Sequence, residues 1–398
     1  MRLHPLAAAC LAVLLCAATA SCARAEDATE DTETPSGAAV NPEPEEADEV
    51  SPPPREPERE WPYGTPVGWA AEPRAVEAAT PDDGADTGEE DGSDGDDEPS
   101  DTADATDGAS GTAPEEDEDQ ARDSEEIEGP SEHPGVTGGA GGETVTATDA
   151  DSLAEYLGSD APLVVEVEGH IDLDGTISVG SDKTLLGAGE GAELTDGGLD
   201  VDGSANVIIA NVAMAVDTTA IAVHGGAHHV WVDGSTFTGG DGEALVSITD
   251  GADHVTLSWN HFSDAEAAVA IGATDDEAGA LRVSVHHNFF DGTTSRHPSA
   301  RNAAHVHVFN NYFRDNPDYG VSSTHGSQVL VEGNYFERTP MSAPTEVDDP
   351  GDIVTRDNLL VDSAQPEPRG EVSDPPYAYE LDDTVSVPDL VSGRAGAL

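Results

Sequence analysis

Val283-Ser-Val-His-His-Asn-Phe-Phe290 is answered 23 residues later by Val306-His-Val-Phe-Asn-Asn-Tyr-Phe313. Each phrase is a short β-branched burst, then an amide, then two aromatic residues. Aligning Val230, Val255, Val283, Val306 and Val329 extends the pattern in both directions. The phrases then end in Ser235-Thr-Phe237, Asn260-His-Phe262, Asn288-Phe-Phe290, Asn311-Tyr-Phe313 and Asn334-Tyr-Phe336, at intervals of 25, 28, 23 and 23 residues. That interval is too short for a propeller blade and suits one coil of a β-solenoid. Coils stacked at about 4.8 Å place like residues above one another. An amide side chain can then donate to one neighbouring coil and accept from the other. The sequence therefore predicts an asparagine ladder with an aromatic stack beside it, both structural.

Outward from these phrases the texture is the same. Further bursts are Pro162–Val167, Thr184–Leu186, Asn206–Asn211, His229–Asp233, His254–Ser258, Leu281–Val285, Ala304–Val308 and Gln328–Val331. Each is closed by Gly, Asp or Asn, and no long helical period follows residue 160, which argues against strands joined by helices. The glycines of Thr184–Gly191 lack the spacing of a dinucleotide loop and read as coil corners. Asp151–Leu157 reads as one short helix with a polar start.

Composition bounds the setting. The 398 residues carry 82 acids and 15 bases, a net charge of -67, and Lys183 is the only lysine. Such a chain repels itself in dilute salt and is screened near 1 M, where the Debye length is about 3 Å. A halophilic or salt-tolerant source is expected. Nucleic acid is excluded as a partner on charge. Residues 1–25 have a positive start, a short apolar core and Ala23-Arg24-Ala25 as a cleavage site, so a signal peptide and secretion are expected. Cys22 offers lipid anchoring at the cell surface as an alternative. All three cysteines lie in this segment, so the mature chain has no thiol chemistry. No membrane span is expected, and nothing in the chain asks for more than a monomer. Residues 26–134 are acidic and proline-rich, too polar to offset ordering entropy, and read as disordered. Within them Trp61–Ala71 is an apolar island.

Between the two opening phrases lies Arg296-His-Pro-Ser-Ala-Arg301. Two arginines so close in so acidic a chain suit a loop that presents fixed positive charge to an anionic ligand. The competing reading is a pair of surface salt bridges, which are common and contribute little.

Taken together, Thr137–Gly142, Trp231-Val-Asp233, Val285-His-His-Asn288, Arg296-x-Pro-x-x-Arg301, Val306–Asn311, Val329–Phe336 and Pro375–Asp382 resemble the secreted pectate lyase family. The resemblance covers residues 135–398 and implies an all-β, right-handed single-stranded parallel β-helix. Pro66–Ala71 is similar to the family's first ordered residues, which makes 72–134 an acidic insertion. The resemblance implies β-elimination of polygalacturonate (pectate), an acidic polysaccharide. Arg296 matches the general base and Arg301 a substrate-carboxylate contact, and His297 beside them is a candidate substrate contact. A guanidinium base is unusual, since its reference pKa exceeds 12, and it needs a cationic neighbourhood. Calcium (Ca2+) is the implied cofactor, with Asp217 and Glu243 as its matching ligands. Here the family pattern thins. Thr219 and Ser247 stand where further acids are expected, Thr324 where an arginine is, and the family's lysine falls at or near Ala268. The alternative is thus a catalytically impaired β-helix that binds acidic polysaccharide without cleaving it.

Overall fold

The computed structural model describes residues 66–73, 135–189, 191–273, 279–344 and 349–398. The expected signal peptide at 1–25 and most of 26–134 lie outside the described residues.

The chain winds as a parallel β-helix. The first sheet has ten strands, all parallel, running from Glu143–Ala147 to Asp352–Arg356. Its eight inner strands are the eight bursts read from the sequence. The two strands not foreseen are the outermost ones. Glu143–Ala147 is mostly exposed and Asp352–Arg356 mostly half-exposed, because each has a coil on one side only. Terminal coils therefore lack the apolar alternation that marks the rest.

The second and third faces begin on the long strand His170–Ser178 and continue on a second long strand, Glu193–Asp202. Its first half pairs with Ala213–Val216 and its second half with Ile221–His224. Beyond it each coil has three straight sides. The second sheet continues through Thr236–Gly239, His261–Ser263, Phe289–Asp291 and Tyr312–Arg314. The third continues through Ala244–Ile248, Ala267–Ile271, Ser299–Arg301 and Ser322–Thr324.

Register follows the valines. Val230 pairs with Val255, Val255 with Val283, Val283 with Val306 and Val306 with Val329. A slip by one residue would turn every one of them outward. At the corner between the first and second sheets the amides form the expected ladder. Asn260, Asn288, Asn311 and Asn334 each donate from Nδ2 to the next coil's Oδ1 at 3.0 Å, the last to Asn358. Next to it Phe237, Phe262, Phe290, Phe313 and Phe336 stack with centroids 4.3–5.1 Å apart. All five rings are buried. Stacking adds about 0.5–1.5 kcal/mol per pair beyond the burial itself.

One end and one flank are covered. Helix Ala150–Leu157 starts one residue before the expected position, on a capping box between Asp149 and Ser152, and buries Leu153 and Leu157. A second short helix, Val387–Ser392, packs Val387 and Val391 on Phe289 and Tyr312. Gly187 lies where any Cβ would meet the Asn211 carbonyl at 1.8 Å, so this corner requires glycine.

The segment at 66–72 belongs to this body. The Trp69 amide donates to Ser284 Oγ and the Ala70 amide to Thr256 Oγ1, both at 3.0 Å. Val136 N in turn donates to Ala70 O at 2.8 Å. Residues 70–72 and 135–136 therefore lie side by side on the solenoid.

Candidate active site

The turns that connect the second sheet to the third carry the chemically notable residues. Coil by coil these are Asp217, then Asp241 and Glu243, then Asp264 and Glu266, then Arg296. Backbone bonds fix the succession: Asp241 N donates to Asp217 O at 2.7 Å, Ser295 N to Glu266 O at 3.0 Å, and Val269 N to Arg296 O at 2.7 Å. At about 4.8 Å per coil, Asp217 lies roughly 15 Å along the axis from Arg296.

Arg296 has φ 61, a left-handed conformation that costs an ordinary side chain about 1–2 kcal/mol. The same conformation recurs at other coil corners, among them Asn206, His229, His287 and Asn310, so here it marks a corner of the coil. Among the described residues the Arg296 guanidinium has no carboxylate and no hydrogen-bond partner. That distinguishes it from Arg282, Arg314, Arg338 and Arg356, which pair with Asp253, Asp291, Asp315 with Glu337, and Asp374 respectively.

Arg301 ends the third-sheet strand Ser299–Arg301 and faces outward, because Ala300 between the two points into the core. It too has no carboxylate partner among the described residues. Its Nη2 lies 3.2 Å from Nε2 of His325, one coil further on. The outer face of this sheet is floored by small side chains: Ala222, Ser247, Ala270 and Ser299 occupy one row in register. The third sheet thus offers a shallow trough with Arg296 on its rim and Arg301 on its floor.

His297 does not face the trough. It is fully buried, edge-on to Phe290, with Nδ1 donating to the Tyr319 carbonyl at 2.9 Å. Burial holds its pKa down to about 4, partly offset by those backbone bonds. The expected substrate contact is corrected to a core residue: His297 precedes Pro298 and the strand Ser299–Arg301, so the alternation that turns Arg301 outward does not extend to it, and its ring packs into the interior. His287, His305 and His307 are also buried, and serve as packing and fastening groups. His307 bridges Glu332 at 2.9 Å and Tyr377 at 2.7 Å, tying the C-terminal strap to the first sheet.

Asp217 lines an open cleft of about 600 Å³ with Thr218, Gly239, Gly240, Asp241 and Asp264. Glu243 is exposed and does not line it. Asp241 and Asp264 escaped the sequence reading because they sit in turns where acids are ordinary. Calcium takes six to eight oxygens. Among the described residues no group of three or more His, Cys, Asp or Glu side chains is gathered closely enough to hold a metal. The residues present therefore do not make an enclosed calcium site. Ala268 is fully buried and brings no cation from the preceding coil. Lys183 is likewise buried, its ammonium donating to the Ser181 carbonyl at 2.8 Å.

The family model described as pectate lyase matches residues 120–364. A pectate trisaccharide-lyase of Bacillus licheniformis is 29% identical over 284 residues, covering 66% of this chain and 83% of that protein. A pectate trisaccharide-lyase of Thermotoga maritima is 33% identical over 192 residues, 43% of this chain, which spans only about half (52%) of that relative's length. The crystal structure of a pectate lyase from Bacillus sp. N165, in complex with trigalacturonate, superposes with a TM-score of 0.61 at 27% identity, over 66% of this chain and 96% of that one. A major allergen of cedar pollen shares the fold at 20% identity, with a TM-score of 0.57 over 66% of this chain and 91% of that one. With the stacked coils and the arginine-bearing turn in place, the match over most of the folded region is decisive: the chain belongs to the pectate lyase family.

Proposed function

We propose that the protein cleaves polygalacturonate by β-elimination, with Arg296 as general base and Arg301 binding a uronate carboxylate. The observation that carries this reading is the pair of guanidinium groups free of carboxylates on one coil, beside a trough long enough to cross several coils. In the step, Arg296 takes the proton on the carbon α to the carboxylate. Those electrons form the C4–C5 double bond, the C4–O bond breaks, and the departing glycosidic oxygen is protonated from solvent. Arg301 would draw charge from the carboxylate, which acidifies that proton, and a guanidinium is shaped for this contact. Calcium assistance is expected of the family, but the open aspartate cleft supplies too few oxygens to be given a step of its own. The acidic surface and a secreted setting together suggest work in salt.

The test is release of unsaturated product, followed at 235 nm, from polygalacturonate in buffers from 0.1 to 3 M NaCl. Activity that rises with salt is expected, because both enzyme and substrate are polyanions. No product under any of these conditions sinks the enzyme reading. One observation favours a second reading, a non-cleaving polysaccharide binder: the buried Ala268 leaves the trough without a third cation. Calorimetric binding of trigalacturonate without turnover would select it.

A further inference from the structure

The Arg301–His325 contact has no counterpart elsewhere in the described chain. An arginine side chain only donates hydrogen bonds. The His325 nitrogen 3.2 Å from Arg301 Nη2 must therefore be the unprotonated one. This sets the tautomer: Nε2 accepts and Nδ1 carries the proton. The backbone that carries the imidazole is fixed as well. His325 has φ 53, and its amide donates to the Asp349 carbonyl at 2.6 Å. Nδ1 of His325 and Nε of Arg301 are both buried and have no hydrogen-bond partner among the described residues. Buried polar atoms left unsatisfied are costly, and each asks for an explanation.

We propose that His325 is a positioning residue for Arg301, and that it selects how the guanidinium meets a substrate carboxylate. This rests on the pectate reading above. With Nε closed off, the side-on fork of Nε and Nη2 is unavailable to a ligand. With one Nη2 hydrogen engaged by His325, the terminal edge of Nη1 and Nη2 is held toward the trough. A carboxylate is then received end-on, by two parallel bonds. Without His325 the guanidinium can swing toward the many acids of the surface. Neutral His325 thus does what a carboxylate partner could not: it orients the arginine without neutralising it.

The test combines spectroscopy with a double-mutant cycle. In the intact protein at pH 8, the ¹⁵N signals of His325 should show Nε2 unprotonated and Nδ1 protonated, and Arg301→Ala should shift Nε2. His325→Ala should raise KM for polygalacturonate about tenfold with kcat within about twofold, the pattern of lost uniform binding. His325→Gln, which restores an acceptor, should recover most of that loss. In the Arg301→Ala background, His325→Ala should add less than about twofold, since coupled residues are non-additive. Melting temperatures of all variants check that the fold is kept. A protonated Nε2 at pH 8, equal effects of His325→Ala in both backgrounds, or a glutamine no better than alanine overturns the proposal. If the wild type releases no product, the cycle is read on trigalacturonate affinity instead. Neither turnover nor affinity would sink the pectate reading, while the ¹⁵N signals still judge the Arg301–His325 pair.

Discussion

At the corner between the first and second sheets, each ladder asparagine from Asn260 to Asn334 has its amide and oxygen taken up by neighbouring coils. At the corner between the second and third sheets, Arg296 has no partner among the described residues, and Asp217, Asp241 and Asp264 open to a cleft. Both corners are made by the same repeating chain a few residues apart. The first repeats its residue type from coil to coil, and like stacks on like. The second does not hold one type throughout: three coils of acids, Asp217, then Asp241 with Glu243, then Asp264 with Glu266, give way to Arg296. Repetition satisfies polar groups internally and stabilises the solenoid. Variation leaves them free to act on something else.

The comparison can be broken most severely at Arg296. If it is the base, Arg296→Lys should lower turnover by at least about 100-fold, within the range for general bases, and leave the melting temperature unchanged. A variant that melts normally and retains a tenth of the activity would move the base elsewhere. The ladder predicts the reverse. Asn288 donates to Leu257 O, His286 O and Asn311 Oδ1, and accepts from Asn260. Asn288→Ala leaves several of these buried groups unsatisfied and should cost about 3 kcal/mol of stability, with turnover per folded molecule preserved. Phe290→Ala in the adjoining stack belongs to the same class, at about 3–5 kcal/mol. Urea titration in 2 M NaCl separates stability from activity in both.

Acid should act on the interior before it acts on the trough. His297 is held at about 4 by burial, against 6.5 when solvated. Because the unfolded state binds the proton first, this contribution is complete above about pH 6.5 and is lost as pH falls toward 4. One such group amounts to roughly 3 kcal/mol. His286 is shifted in the same direction by burial and by His287. Denaturant midpoints at pH 7.5 and 4.5 should therefore differ, and equal midpoints would show these rings to be solvated. The smallest effect concerns calcium. Two or three carboxylates in an open cleft should give a midpoint no tighter than about 10⁻⁴–10⁻³ M, as in weak sites. A micromolar midpoint in initial rates against free calcium would reveal ligands beyond Asp217, Asp241 and Asp264.

The repeat was legible because stacking is a local rule applied many times. Val283 and Val306 had to share a register once their coils were 23 residues long, and Asn288 and Asn311 followed with them. Eight strands of the first sheet, the aromatic stack and the arginine-bearing turn could all be read from residue order alone. What residue order left open was orientation. Arg301 faces out because it ends a three-residue strand, and His297 faces in because it lies before that strand, ahead of Pro298; so short a strand shows no period. The acids at 241 and 264 joined Asp217 only because the backbone of one turn lies over the next. His325 met Arg301 across two coils, and Ala70 met Val136 across a sequence separation that no periodicity spans. Identity and spacing settled the solenoid, since each coil repeats the contacts of the one before. Only the tertiary structure decided which charges stayed free, because that depends on which way each corner turns its side chains and on what the adjoining coil places opposite them.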